Sequence, residues 1–551
     1  LSAFNQHAFF LNADGHALAA TCFAPETVCG AVLLIPPFAE ERKGTLPVFV
    51  QTARELAGRN IACLLFDFSG CGDSEGDFAS TPPATLEADC EAALAWISAA
   101  FPAVPLAVLG VRTGALLACR LAAKRSDVTA LMLWSPVTGP DFLRQLLQRR
   151  MVNDMVAYGK AQESRAALEA RLQRGETVDL DGYAFSGAFY TWAHALLPQP
   201  VTAPALLIAG GHDERTSAAC ASSSPAVTRA ELRYPPFWNT VGHVDLAALV
   251  SETASWLSVR LSAAAAVSAA IPALCTTAPF GELADLPAAQ TVRAIFDTPA
   301  AAPAGGVLFL HGWSGDRTGP HRLFTRFARQ LAGQGYLCAR PDFIGRGLSD
   351  GAASEASIAR MTENAQTALN ELRRRLPSGA PIAVAAICSG CKVAIALTSQ
   401  NQDIAKLLLW SAESMGSLRS AATGRRKTLS ALATYARKLL RPETWKKILS
   451  GKVQTGLVTQ ALVKHETRSS EEAAWEDGVL RVFRSYRNPV LFVFGGSDPD
   501  APGSSRAYAD YCRKSGIPHT QHTIAHAGHS YYGEAWTRDL LDVSVLFLSA
   551  H

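Results

Sequence analysis

Long apolar runs are missing from this 551-residue chain. No uninterrupted stretch reaches the roughly 20 residues needed to cross a bilayer, so stable membrane insertion is not expected. Paired cysteines are scarce as well. Twelve cysteines are scattered along the chain, and only Cys388-x-x-Cys391 is spaced as a pair. That argues against a disulfide framework and for a reducing compartment, with the cytoplasm as the expected location. The opening residues, Leu1-Ser2-Ala3-Phe4-Asn5-Gln6-His7, lack the basic-then-apolar layout of a secretion signal. They also lack an initiating Met, which points to a trimmed start. Charge is sparse, at 18% of residues against 48% hydrophobic, which is the balance of a globular protein rather than a disordered or fibrous one. There is no nucleic-acid motif, so a nucleic-acid partner is not expected, and neither is a metal or a cofactor.

What the chain does have is a repeat. Asp67-Phe68-Ser69-Gly70-Cys71-Gly72-Asp73-Ser74-Glu75-Gly76 returns as Asp342-Phe343-Ile344-Gly345-Arg346-Gly347-Leu348-Ser349-Asp350-Gly351, 275 residues later. Val111-Arg112-Thr113-Gly114 returns as Ile387-Cys388-Ser389-Gly390, and Leu133-Trp134-Ser135 as Leu409-Trp410-Ser411, both 276 residues on. Gly211-His212-Asp213 matches Gly496-Ser497-Asp498, and Val241-Gly242-His243 matches Ala527-Gly528-His529, at offsets of 285 and 286. So steady a register means two tandem copies. The expected boundaries are a first domain over 1–262, an Ala-rich linker over 263–274 and a second domain over 275–551. Net charge of +3 conceals an asymmetry: residues 1–270 hold about 19 Lys/Arg and 25 Asp/Glu, the remainder about 32 and 23. The halves are therefore of opposite sign and are expected to attract one another.

Each copy alternates apolar runs of strand length with helical segments. In the first, Ala31–Ile35, Ile61–Leu65, Leu106–Leu109, Ala130–Leu133 and Ala205–Ile208 read as strands buried on both faces. That predicts an α/β fold in each copy, a mostly parallel sheet flanked by helices. Ligands bind beyond the carboxyl ends of such strands, where all the matched landmarks fall. Between the Trp-Ser pair and the late Asp, each copy also has room for a helical lid. The second lid, Gly424 through Leu449, is amphipathic and strongly basic. Its charge reads first as a solvated face; set over a nucleophile it would steer an acidic acyl donor, such as a carrier protein, a coenzyme A thioester or an anionic glycan. A membrane-surface role is the weaker reading.

Ile382-Ala383-Val384-Ala385-Ala386 followed by Ile387-Cys388-Ser389-Gly390 has the form of a sharp strand-to-helix turn that lifts a nucleophile above a sheet. Ala386 holds the place usually given to Gly, and Cys388 the nucleophile's. Without context a lone cysteine is more often inert and buried. Here a carboxylate on the loop after a late strand, Asp498, and a histidine before the last helix, His529, follow in the order Cys…Asp…His. Cysteine as nucleophile, histidine as base and aspartate as orienter suit covalent acyl chemistry. His526 is a weaker rival to His529. Oxyanion donors are expected from the backbone N–H groups of Ser389 and of Trp313, in His311-Gly312-Trp313 after the strand Val307–Leu310. A redox role for Cys388 and Cys391 is a further, weaker reading, with Cys391 more naturally packed inward.

In the first copy the nucleophile's place is taken by Arg112, which cannot attack a carbonyl. Asp213 and His243 persist, and the loop after Ile35 reads Pro36-Pro37-Phe38-Ala39-Glu40-Glu41. A guanidinium there is expected to pair with Glu40 or Glu41, either as a structural ion pair or as the holder of an anionic ligand.

These motifs resemble the exosortase A system-associated hydrolases, α/β-hydrolases found near bacterial exopolysaccharide and protein-sorting genes. The first half is similar to type 2, through Pro36–Glu41, Gly70–Gly76, Gly110–Ala118 and Asp181–Ser186. The second is similar to type 1, through the Cys388 elbow and Leu440–Gly451; the departure is their fusion in one polypeptide. The resemblance implies a hydrolase or acyltransferase on esters or thioesters in a biosynthetic setting, and a fold does not supply a substrate. A non-catalytic scaffold of a biosynthetic complex is the alternative.

Overall fold

The computed structural model describes residues 4–102, 104–240, 242, 244–261, 266–268, 271–419 and 470–550. The basic lid of the second copy and His243 lie outside the described residues, as do parts of the Ala-rich linker.

The first copy begins with two antiparallel strands, β1 (Phe4–Ala13) and β2 (His16–Pro25), and a short β3 (Thr27–Val28). An alternation then follows: β4 (Gly30–Ile35), α1 (Glu41–Ala57), β5 (Ile61–Phe66), α2 (Pro83–Ala100), β6 (Leu106–Val111), α3 (Thr113–Lys124) and β7 (Val128–Trp134). A lid follows, made of α4 (Gly139–Tyr158), α5 (Arg165–Gln173), the hairpin β8 (Val178–Leu180) and β9 (Tyr183–Phe185), and α6 (Gly187–His194). The copy ends with β10 (Ala205–Gly210), α7 (Glu214–Ser223), β11 (Val227–Arg233) and α8 (Ala247–Leu261).

Eight strands form one sheet in the order β1-β2-β5-β4-β6-β7-β10-β11, parallel from β5 onward. Each apolar run feeds two cores, because successive side chains on a strand face opposite ways. In β4, Ala31, Leu33 and Ile35 enter the core packed with α2, α3 and the lid, whereas Val32 and Leu34 enter the core packed with α1 and α8. The edge strand β11 alternates charged, exposed positions instead, which keeps the edge from pairing with another chain.

The second copy opens with β12 (Val267–Ser268), which pairs with β3 inside the stretch expected to be linker. It continues with β13 (Thr277–Ala278), β14 (Gly281–Leu286), β15 (Val292–Asp297), β16 (Gly305–Leu310), α9 (Leu323–Gly333), β17 (Tyr336–Pro341) and α10 (Ile358–Arg375). Then come β18 (Ile382–Ile387), α11 (Gly390–Leu397), β19 (Lys406–Trp410), α12 (Ser470–Phe483), β20 (Val490–Gly495), α13 (Ala501–Ser515), β21 (His519–Ile524) and α14 (Glu534–Ser549). Strands β13 to β21 make a nine-stranded sheet, antiparallel over β13, β14, β15 and β17, and parallel over β18, β19, β20 and β21. Among the described residues no helix is long and apolar enough to cross a membrane.

The compact units of the structure are not the two repeats. One holds Leu1–Ile382 with Tyr531–Asp542, the other Ala383–Ser530 with Val543–His551. Within the first unit, charged side chains join the two copies. Arg317 and Arg340 of the second copy each reach the buried Asp73 of the first at 2.7 Å, and Arg42 reaches Asp316 at 3.1 Å. Arg322 donates to the carbonyls of Gly70, Gly72, Ser74 and Gly76, so one guanidinium wraps the whole turn. The register of the sequence repeat is also a register of contacts: Arg329 donates to Ser74 O at 2.9 Å, and its counterpart Arg54 donates to Ser349 O at 2.9 Å. That reciprocity is the mark of an isologous, two-fold interface, here between copies of one chain.

Candidate active site

In the second unit, β18, β19 and β20 end side by side, since Ile387 pairs with Trp410 and Trp410 with Val493. Cys388 follows β18 directly and carries φ 58°, a left-handed backbone rare outside glycine. The strain is that of an elbow, and it sets the thiol at the start of α11. Asp498, nearly buried after β20, accepts a 2.8 Å hydrogen bond from His529 Nδ1–H. The Cys388 side chain also acts on this imidazole and raises its pKa. Burial pushes the His529 pKa down, but Asp498 and Cys388 more than reverse this and lift it to about 10. Ser411, after β19, donates to the His529 carbonyl at 2.7 Å and so fixes the histidine's backbone. Ser389 is buried at the cap of α11. Cys391 faces inward, its thiol within 3.4 Å of the carbonyls of Ala386 and Trp410, and burial pushes that thiol well up.

Trp313 lies in the first unit, on the loop after β16. Its ring is partly exposed beneath the Arg346 guanidinium at 5.0 Å, and its carbonyl accepts from Arg346 Nε at 2.5 Å. In the same unit, Arg112 repeats the elbow backbone with φ 57°. Its guanidinium is wholly buried and engaged on every side. Nε donates to Glu41 at 3.2 Å, one terminal nitrogen to Asp213 and the other to Gln145 at 2.6 Å, while Trp238 stacks at 4.4 Å. Of the two glutamates expected near it, Glu41 is the partner. Glu40 instead accepts from the His321 backbone at 2.9 Å and from the Tyr532 hydroxyl at 2.7 Å. Gln145, from the lid helix α4, was not foreseen; amphipathic spacing gives no hint that one of its polar residues turns inward.

Two known protein families match parts of the chain. The pattern described as "Alpha/beta hydrolase family" matches residues 307–543, and that described as "Serine aminopeptidase, S33" matches residues 30–222. With two sheets of the corresponding architecture, that decides the matter. The chain carries two tandem α/β-hydrolase domains. Solved structures similar to it include Est1E from Butyrivibrio proteoclasticus with bound ferulic acid (16% identity, 47% of this chain, 97% of that one, TM-score 0.32). An alpha-beta serine hydrolase homologue from Coxiella burnetii is similar at 14% identity, covering 50% of this chain and 99% of its own, TM-score 0.33. A Pyrococcus furiosus esterase is similar at 16% identity over 49% of this chain and 89% of its own, TM-score 0.34. No curated protein matches the chain.

The C-terminal hydrolase domain holds two further charged residues beside the thiol that its motifs did not announce. Glu413, three residues beyond β19, accepts from the Cys388 thiol with Oε1 at 3.3 Å. Lys392, on the first turn of α11 and fully buried, lies 3.0 Å from Glu413 Oε2 and 3.6 Å from Glu476 on α12. Burial pushes the Glu413 carboxyl up, yet the Lys392 ammonium more than reverses it and holds it at about 2. The signal was in the repeat: at the 276-residue register these positions are Leu116 and Val137 in the N-terminal hydrolase domain, both buried and apolar.

Proposed function

We propose that the chain is an ester or thioester hydrolase or acyltransferase whose chemistry belongs to the C-terminal hydrolase domain. The observation that carries this is the His529–Asp498 hydrogen bond, with the Cys388 elbow acting on the same imidazole, beyond the ends of β18, β20 and β21. Cys388 attacks the acyl carbonyl carbon after its proton has passed to His529 Nε2, as the raised pKa of that imidazole favours. Asp498 keeps Nδ1 protonated and stabilises the imidazolium. The tetrahedral oxyanion takes a donor from the backbone N–H of Ser389. When the intermediate collapses, the bond to the leaving alcohol or thiol breaks and the proton on His529 goes with it, leaving an acyl-thioenzyme. Water, an alcohol or an amine then attacks that thioester with His529 as base, and Cys388 is released. A thiol nucleophile suits exchange with thioesters, so carrier-bound or coenzyme A-bound acyl groups are the proposed donors. The resemblance to exosortase A system-associated hydrolases supports a setting in exopolysaccharide or related biosynthesis.

The N-terminal hydrolase domain is proposed to be non-catalytic. Arg112 is wholly buried, three of its five N–H donors go to Glu41, Asp213 and Gln145, and Trp238 covers its face, which favours a structural network over an anion-binding site. Turnover of acyl-coenzyme A thioesters and activated esters by wild type, Cys388→Ala and His529→Ala tests the assignment. Either substitution is expected to lower kcat by about a thousandfold or more. Undiminished turnover in Cys388→Ala would sink it.

A further inference from the structure

Glu413 has no part in the charge relay through His529, yet it touches the nucleophile. It is ionised, and its Oε2 is committed to the fully buried Lys392. Its Oε1 is committed only to the thiol proton, and some two-fifths of its side chain is open to solvent. The carboxylate is also held in place. Tyr508 donates to the Glu413 carbonyl at 2.7 Å, and the neighbouring Ser414 hydroxyl meets Ser504 at 3.0 Å. Keeping an ammonium buried at this place is costly unless it is paired. The N-terminal domain solves the same packing with Leu116 and Val137 and has no nucleophile. The ion pair thus goes with the domain that has the thiol, and the core does not need it.

Once Cys388 is acylated, its sulfur has no proton left to donate, and Glu413 Oε1 loses its partner. A substituent on the carbon next to the new thioester carbonyl sits three bonds from Sγ, within reach of that oxygen. We propose that Glu413, held by Lys392, selects acyl donors bearing a hydrogen-bond donor on the carbon beside the scissile carbonyl, a protonated amine above a hydroxyl. A charged donor bonds a carboxylate more strongly than a neutral one. The proposal rests on the acyl-enzyme reading above. It names the acyl class: α-aminoacyl, then α-hydroxyacyl, esters and thioesters.

Three thioesters of one carbon skeleton test it: alanyl, lactyl and propionyl, each rate corrected for the uncatalysed reaction. Wild type is expected to prefer alanyl over propionyl in kcat/KM by at least about tenfold, with lactyl between. Glu413→Gln should bring the three together. Because that change removes the nearer of the two carboxylates beside Lys392, the pair Lys392→Leu with Glu413→Val, which installs the N-terminal domain's own residues, serves as the second variant and should also bring them together. Equal rates on all three in wild type, or a preference that survives in both variants, would overturn the proposal while leaving the acyl-enzyme reading intact. Failure of every thioester, acetyl included, to acylate Cys388 would overturn both.

Discussion

At the scale of single residues, two elbows with the same strained backbone hold opposite contents. Cys388 is set against a histidine and a carboxylate, whereas Arg112 is locked into Glu41, Asp213 and Gln145 with no exposure. Removing one member of a buried ion pair strands the other, at a cost of about 3–5 kcal/mol. Arg112→Ser is therefore expected to destabilise the protein by that amount in chemical denaturation and to create no acyl-enzyme in the N-terminal domain. A variant as stable as wild type would contradict the closed network. His529 gives a pH signature. Its folded pKa of about 10 stands above the ordinary 6.5, so its contribution to stability is complete below about pH 6.5 and is lost as pH rises through 10. The stability gap between wild type and His529→Gln should accordingly shrink from pH 6 to pH 10; a gap that widens would refute the assignment. Most of these residues were legible in sequence order alone. Glu413 and Lys392 were not, because a single charge in an apolar run carries no motif. Only position-by-position comparison of the two copies exposes them.

At the scale of elements, the parallel strands were legible because they are buried on both faces and read as unbroken apolar runs. Strands β1, β2 and β13 to β15 escaped notice. They mix polar and small residues, as in Phe4-Asn5-Gln6-His7-Ala8, and their antiparallel pairing leaves no continuous run. The turn Gly70–Gly76 was legible as half of a repeat, but its role as a contact between copies was not, since its partners lie some 250 residues away. Asp73 shows what the turn bears. Burial alone would raise its carboxyl, and Arg340 and Arg317 instead hold it far below the usual carboxylate range. Asp73→Ala leaves two guanidinium groups buried around an empty place. It should cost about 3–5 kcal/mol of stability, and a midpoint unchanged in guanidinium chloride would contradict that role for Asp73.

At the scale of the whole molecule, the two copies meet through specific buried charge pairs. Arg317, Arg322, Arg329 and Arg340 of the second copy hold the first copy's turn, and Arg42 of the first holds Asp316 of the second, inside one compact unit. Fusion keeps those partners at high effective concentration. Residues 1–262 produced alone are expected to unfold or aggregate, and to become soluble when residues 271–551 are co-produced; a cooperatively folded 1–262 monomer would count against this. The tandem then joins an N-terminal hydrolase domain with a buried Arg112 at the nucleophile's place to a C-terminal one proposed to keep the chemistry. Whether it does is most directly read by intact-protein mass after brief exposure to acyl-coenzyme A thioesters and activated esters, with Cys388→Ala alongside. The account predicts a mass gain of one acyl group on wild type, mapped to the peptide holding Cys388, and none on the variant. No adduct from any donor, on a Cys388 that still alkylates with iodoacetamide, would contradict it.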